Sequence, residues 1–176
     1  LKQLALSSII ASHRSFVSDI IFIPATVKTD RKNPGPDGKM THFLSCSEDG
    51  IVCIWDSRPV EKEAIRAQPD FIWKPFLQIT LFRPDGSGDL GLSKVLLYPK
   101  QTTTTFWAAS DEGDLALVDW SVKPVVAPGQ SAEEAAKFAE YVKKMYEGER
   151  NYRPVVALER SPFFDDLILT VHDFHF

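Results

Sequence analysis

The stretch Phe43-Leu-Ser-Cys-Ser-Glu-Asp-Gly-Ile-Val-Cys-Ile-Trp-Asp, at residues 43–56, decides the fold. Its two halves are rich in apolar and β-branched residues, which predicts two short strands. The Glu-Asp-Gly segment at 48–50 separates them and is typical of a tight turn, because glycine adopts a positive φ at little cost. The stretch therefore predicts an antiparallel hairpin, and a three-residue turn places Ser45 opposite Cys53.

The hairpin belongs to an internal repeat. Residues 106–113 (Phe-Trp-Ala-Ala-Ser-Asp-Glu-Gly) echo residues 43–50, and residues 93–99 echo the β-rich run at 18–24. A third unit begins near residue 154 with further β-rich segments. Repeats of strand, loop and hairpin in one order predict a series of stacked β-sheets.

The first repeat ends in Trp55-Asp56 and is preceded by Ser12-His13. In this it resembles a WD repeat, in which such a pair opens and Trp-Asp closes one blade of a β-propeller. The resemblance implies an all-β fold, namely a partial WD-repeat β-propeller of about two and a half blades of antiparallel four-stranded sheets. The expected divisions of this single unit (1–176) are a first blade at 1–70 with an insertion at 25–41, a degenerate second blade at 71–120, a helical insertion at 121–150 and the start of a third blade at 151–176.

The helical insertion is predicted from a capping pattern. Ser131-Ala-Glu-Glu134 has the spacing of a capping box, and apolar residues follow it at helical intervals. We therefore expect one amphipathic helix over residues 132–147. It either packs on the side of a blade or docks a partner.

Composition excludes several classes of function. The 176 residues are 44% hydrophobic and 25% charged, with a net charge of −4 and no basic stripe for nucleic acid. No apolar run approaches the roughly 20 residues of a membrane span. Cys46 and Cys53 are expected to point to opposite faces of the hairpin as free thiols. Because the chain begins with Leu1 instead of Met, we expect it to be part of a longer protein.

His13, Ser45 and Asp49 have the residue types of a catalytic triad. A serine hydrolase would also need a nucleophile elbow, and no Gly-x-Ser-x-Gly sequence is present. The WD-repeat resemblance implies another role, a structural network in which the Trp55 indole donates to the serine, the serine to the histidine and the histidine to the aspartate. With no phosphate-binding loop or metal-ligand spacing in the sequence, we expect no enzyme activity, cofactor or metal.

The second repeat departs from this pattern. Ala108 stands at the position of Ser45 and Glu112 at the position of Asp49, while a valine replaces Trp55 and no histidine precedes the repeat. We therefore expect the second blade to depend on apolar packing alone.

The segment Glu-Arg-Ser-Pro-Phe-Phe-Asp-Asp-Leu-Ile-Leu-Thr-Val at 159–171 resembles the propeller of dynein intermediate chains, most closely the axonemal inner-arm type. The resemblance implies a non-catalytic scaffold in the cytoplasm, at the cytoskeleton of the ciliary or flagellar axoneme. Its implied partners are a dynein heavy-chain tail and other dynein intermediate and light chains, with no nucleic acid, membrane or small-molecule substrate. The candidate contact residues are Arg58, Phe163 and Phe164. The alternative is a generic WD-repeat adaptor outside dynein.

Overall fold

The computed structural model describes residues 3–29, 39–126, 128–131, 135, 139–146 and 153–173. Within those ranges the chain forms ten β-strands and two short α-helices. The strands are β1 (Val17–Phe22), β2 (His42–Ser47), β3 (Ile51–Asp56), β4 (Leu77–Thr80), β5 (Leu92–Leu96), β6 (Thr105–Ser110), β7 (Leu115–Asp119), β8 (Val142–Tyr146), β9 (Ala157–Arg160) and β10 (Ile168–Val171). The helices α1 (Arg58–Glu61) and α2 (Glu63–Arg66) lie between β3 and β4.

The described strands form three antiparallel sheets in which neighbours follow chain order. The first sheet has the order β1-β2-β3-β4, the second has the order β5-β6-β7-β8, and the third contains β9 and β10. Antiparallel neighbours can be joined at one end of a sheet, so consecutive strands pair even where the connection is long, as between β3 and β4 at residues 57–76. The predicted all-β class is confirmed, and the arrangement is that of a partial, propeller-like fold.

The β2–β3 hairpin has the predicted register, since Ser45 pairs with Cys53. Gly50 closes the turn at φ 70°, and its amide donates to the carbonyl of Ser47 at 3.2 Å. A Cβ atom at Gly50 would lie only 3.3 Å from the carbonyl oxygen of Leu81. Glycine is therefore favoured here for two reasons: the turn needs a positive φ, and the chain that leads into the second sheet passes so close that a side chain would require a small shift.

The first and second sheets pack face to face around the main apolar core. Successive residues of a strand point to opposite faces, so alternate side chains of each sheet enter this core. The fully or nearly fully buried members include Leu44, Val52 and Ile54 of the first sheet and Val95, Phe106 and Val118 of the second. The opposite face of the second sheet contacts the third sheet through a smaller cluster that contains Ala109, Leu158 and Ile168.

The helix predicted over residues 132–147 is wrong at its carboxyl-terminal part. Val142–Tyr146 is strand β8, which pairs with β7, whereas residues 132–134, 136–138 and 147 lie outside the described residues. The pairing contains a register shift, and both Val142 and Met145 pack against the main core. A bulged strand thus places apolar residues three apart on one face, which reproduces the spacing of a helix.

The sheet boundaries also differ from the divisions expected from the sequence. β4 completes the first sheet, although it lies beyond residue 70 in the segment that was expected to start the second blade. Likewise, β8 completes the second sheet from within the expected insertion at 121–150. Both are the last strands in the order of their sheets, so each pairs along one edge only.

The two cysteines provide a test of this packing. Cys46 and Cys53 are free, with no exposed surface, and burial raises the pKa of each thiol to about 12. Because alkylation requires the thiolate, we expect iodoacetamide at pH 8 to modify neither cysteine in the folded chain. Intact-mass spectrometry should show both modified after unfolding in guanidinium chloride. Rapid alkylation before unfolding would contradict the buried placement.

Candidate functional site

The structure brings His13, Ser45, Asp49 and Trp55 together beside the first sheet. The indole Nε1–H of Trp55 donates to Ser45 Oγ at 2.8 Å, and His13 Nε2 lies 2.7 Å from the same oxygen. Ser45 Oγ therefore has two hydrogen-bond partners, the Trp55 indole and His13 Nε2. This group is named here the first polar cluster, and it links the segment before β1 to the β2–β3 hairpin.

Asp49 holds the same segment by accepting hydrogen bonds from its backbone amides. Its carboxylate accepts from the amides of Arg14 and Ser15 on one side and from the amide of Ile51, at 2.9 Å, on the other. His13 Nδ1 lies 3.7 Å from Asp49 Oδ1, which is an electrostatic contact longer than a hydrogen bond. One carboxylate therefore satisfies three backbone donors at the point where the chain enters β1.

The environment lowers the pKa of both ionisable members of the cluster. Burial lowers the pKa of His13, and this effect outweighs the opposing attraction of Asp49. Burial alone would raise the pKa of Asp49, but the backbone donors Arg14 and Ile51, together with His13, lower it below the usual value. The cluster thus favours a neutral imidazole beside an ionised carboxylate.

The geometry is not that of a working nucleophile. Ser45 is only 2% exposed, and the side chain of His13 is also 2% exposed, so a substrate carbonyl has no open path to the hydroxyl. The indole of Trp55 already donates a hydrogen bond to the serine oxygen. What the arrangement does chemically is to pair the Trp55 indole, the Ser45 hydroxyl and His13 Nε2, which would otherwise be buried without partners. Within the described part of the chain, the Nδ1 atom of His13 makes no hydrogen bond and has only the longer contact with Asp49.

The aromatic surroundings explain the burial of this cluster. Trp55 stacks on Phe43 with ring centroids 5.9 Å apart, and Trp73 approaches it to 5.0 Å. The Trp73 indole donates to the carbonyl of Asp56 at 3.1 Å. The three rings shield the Ser45–Trp55 hydrogen bond from water, which strengthens it.

The expectation that the second sheet depends on apolar packing alone is wrong. Arg83, in the segment before β5, donates to Asp114 at 2.8 Å and to Glu112 at 2.7 Å in the β6–β7 turn. The amide of Asp114 in turn donates to Ser110 Oγ at 2.8 Å. Burial opposes the charge on Arg83, but these carboxylates raise its pKa overall. This second polar cluster occupies the place of the first with different residues.

A sequence signal for the second cluster was present. Arg83 precedes its sheet as His13 precedes the first, and acidic residues fill the corresponding turn. The third sheet repeats the theme more weakly, since Arg153 Nη1 lies 3.9 Å from Asp173 Oδ2 and the Arg153 carbonyl contacts His172 Nδ1 at 3.2 Å. A basic residue before the first strand of the sheet and an acidic residue after its second strand thus recur in all three units.

The other candidate residues lie away from these clusters. Arg58 is held by its neighbour Asp56, whose carboxylate accepts from Nε at 2.8 Å and from Nη2 at 2.7 Å. Phe163 and Phe164 lie in the β9–β10 connection and are 87% and 67% exposed. They are therefore surface residues, and the main core does not include them.

Neither a metal-binding cluster nor a membrane-spanning helix is found among the described residues. Among them, no group of three or more histidine, cysteine, aspartate or glutamate side chains is placed to hold a metal ion. In the same part of the chain, no helix has the length and apolar character of a membrane span.

The first polar cluster predicts a measurable loss of stability on Ser45→Ala. The substitution leaves the buried indole of Trp55 and the imidazole of His13 without their shared partner, which should lower the unfolding free energy by about 1–3 kcal/mol. Urea denaturation of Ser45→Ala, Trp55→Phe and the double variant measures this. Because both single changes remove the same Ser45–Trp55 hydrogen bond, the double variant should lose less stability than the sum of the two. Strictly additive losses would count against the shared bond.

The lowered pKa values predict acid sensitivity. Because the folded pKa of His13 lies below its ordinary value of 6.5, the unfolded chain binds the proton more readily, and stability falls as the pH drops through that range. Asp49 acts in the same direction at lower pH, since its folded pKa is also lowered. Urea midpoints at pH 7.5 and 5.5 should differ less for His13→Gln than for the unmodified chain. Equal pH dependence of the two chains would refute the assignment to His13.

Comparison with known proteins gives distant relatives. No protein-family model matches the chain. It is similar to "Dynein axonemal intermediate chain 3" of Macaca fascicularis, at 22% identity over 234 residues covering 97% of this chain and 25% of the relative. The proteins of the same name from Homo sapiens and Mus musculus are each 20% identical, again over 97% of this chain and over 25% and 28% of the relatives. The chain therefore spans about a quarter of the length of these relatives and is distantly related to them over nearly its whole extent.

Proposed function

We propose that the chain is part of a non-catalytic scaffold subunit of an axonemal dynein motor complex. In this proposal its sheets are blades of a WD-repeat β-propeller that binds the tail of a dynein heavy chain and supports microtubule-based ciliary movement. The observation that carries the proposal is the similarity to axonemal dynein intermediate chain 3 over 97% of the chain. The proposed partners also include other intermediate and light chains, and the proposed location is the axoneme.

The geometry supports a scaffold in preference to an enzyme. The triad-like residues are buried and are used to fix a chain segment, with Ser45 only 2% exposed. The connections between strands remain available, and loops held by a rigid sheet framework are common recognition surfaces. We place the heavy-chain contacts at the end of the sheets that carries the β1–β2, β3–α1 and β9–β10 connections, with Arg58, Phe163 and Phe164 as contact residues.

Co-purification tests this proposal. The full-length protein that contains this chain, carrying an affinity tag, is recovered from ciliated cells, and an equally tagged, unrelated propeller protein serves as the control. Quantitative mass spectrometry should show enrichment of an axonemal dynein heavy chain together with light chains. Recovery of a defined complex without dynein subunits would refute the proposal and favour a generic WD-repeat adaptor.

A further inference from the structure

The β9–β10 connection, residues 161–167, displays an apolar tip that the core does not use. Phe163 is 87% exposed, Phe164 is 67% exposed and Leu167 is 56% exposed. The equivalent β5–β6 connection has no aromatic residue at its exposed positions, which are Pro99, Lys100, Thr102 and Thr103. Adjacent exposed phenyl rings are unusual on a protein surface and mark an interaction site more often than scattered single residues do.

Hydrogen bonds within this Phe-Phe loop fix its shape. The amide of Ser161 donates to the carbonyl of Leu167 at 2.9 Å, which closes the loop at its base. Ser161 Oγ then accepts from the amides of Phe163 and Phe164 at 3.2 and 3.1 Å. The two rings are therefore presented by an ordered backbone, and little further ordering is needed when a partner binds.

Arg160 holds the loop against the neighbouring sheet. Its Nε donates to the carbonyl of Asp165 at 2.8 Å, and its Nη2 lies 3.2 Å from the Asp165 carboxylate. The guanidinium carbon also lies 4.2 Å from the centroid of the Tyr98 ring, which belongs to the β5–β6 connection. Arg160 thus joins the Phe-Phe loop to the second sheet through a planar group that both stacks and donates.

The charge around the tip is acidic. Residues 159–167 contain three carboxylates and one guanidinium, and that guanidinium is engaged with Asp165. Glu159, in β9, and Asp166, in the loop itself, are both exposed. A complementary surface therefore combines an apolar cleft for the rings with lysine or arginine side chains at its rim.

We infer that the Phe-Phe loop is a preformed docking element. Phe163 and Phe164 enter an apolar cleft with a basic rim on the heavy-chain tail, and Arg160 is the positioning residue that aims them. This inference rests on the proposed function for the identity of the partner. The chemistry of the cleft follows from the exposure, order and charge of the loop.

The first test removes the rings. Full-length protein carrying Phe163→Ser and Phe164→Ser is titrated with a recombinant tail of the heavy chain recovered in the co-purification. We expect binding at least about tenfold weaker, as is common when buried aromatic anchors are truncated. The matched control is Ile9→Ser with Ile10→Ser, because these adjacent side chains are 91% and 98% exposed but precede β1. Unchanged binding by the phenylalanine variant, or an equal loss in the control, would overturn the inference.

The second test examines the positioning role of Arg160. Arg160→Lys keeps the charge but lacks the planar fork, so we expect binding roughly three- to tenfold weaker with an unchanged melting temperature. A photoreactive benzoylphenylalanine at position 163 supplies a second measurement, the site and yield of crosslinking, which does not depend on the stability of the fold. It should crosslink to one cleft with basic neighbours, and Arg160→Lys should reduce that yield. Crosslinks to an acidic surface, or yields that Arg160→Lys leaves unchanged, would contradict the inference.

The two proposals fail in different ways. If the unmodified full-length protein recovers no heavy chain, the proposed function itself is wrong. If it recovers heavy chain and the phenylalanine variant binds the tail equally well, only the docking role of the loop is wrong.

Discussion

In the two four-stranded sheets, the structure depends on contacts that hold the segment before the first strand to the hairpin turn of the same sheet. In the first sheet, the buried indole of Trp55 requires an acceptor, and Ser45 Oγ supplies it at 2.8 Å. That hydroxyl also contacts His13, so a side-chain requirement inside the sheet determines where the entering chain lies. Asp49 completes the attachment by accepting backbone amides from that chain. Satisfying buried polar groups thus fixes the position of β1 as well as its stability.

The second sheet meets the same spatial constraint with different chemistry. Arg83 reaches two carboxylates of the opposite turn, while its own side chain is only 15% exposed. An ion pair at that burial carries a desolvation cost, which a forked guanidinium offsets because it donates to both acids at once. The first cluster avoids most of this cost by keeping its histidine neutral. The attachment between segment and turn therefore recurs in both four-stranded sheets, and different residues form it in each.

This distinction explains what the sequence could predict. β-Branched runs and the turn glycine at Gly50 predicted the hairpin and its register, because those signals are local and have period two. The second cluster was missed because a residue-by-residue match with the first repeat finds Ala108 in place of Ser45, whereas the attachment depends on where Arg83 lies in space. β8 was missed because its bulge gives Val142 and Met145 a helical spacing. Both errors concern contacts between distant segments, which local patterns do not encode.

The two ends of the sheets consequently differ in how much their turns and connections can change in sequence. At one end, each hairpin turn is held to an entering segment, and a change there disturbs buried polar groups or the close approach of backbone at Gly50. At the other end the connections differ widely, from the short helices α1 and α2 to the ordered loop with Phe163. A framework that is fixed at one end can vary its loops at the other without losing its core. We therefore expect partner recognition at the variable end. An exposed aromatic side chain there leaves the hydrogen bonds of the buried polar groups in the sheets unchanged.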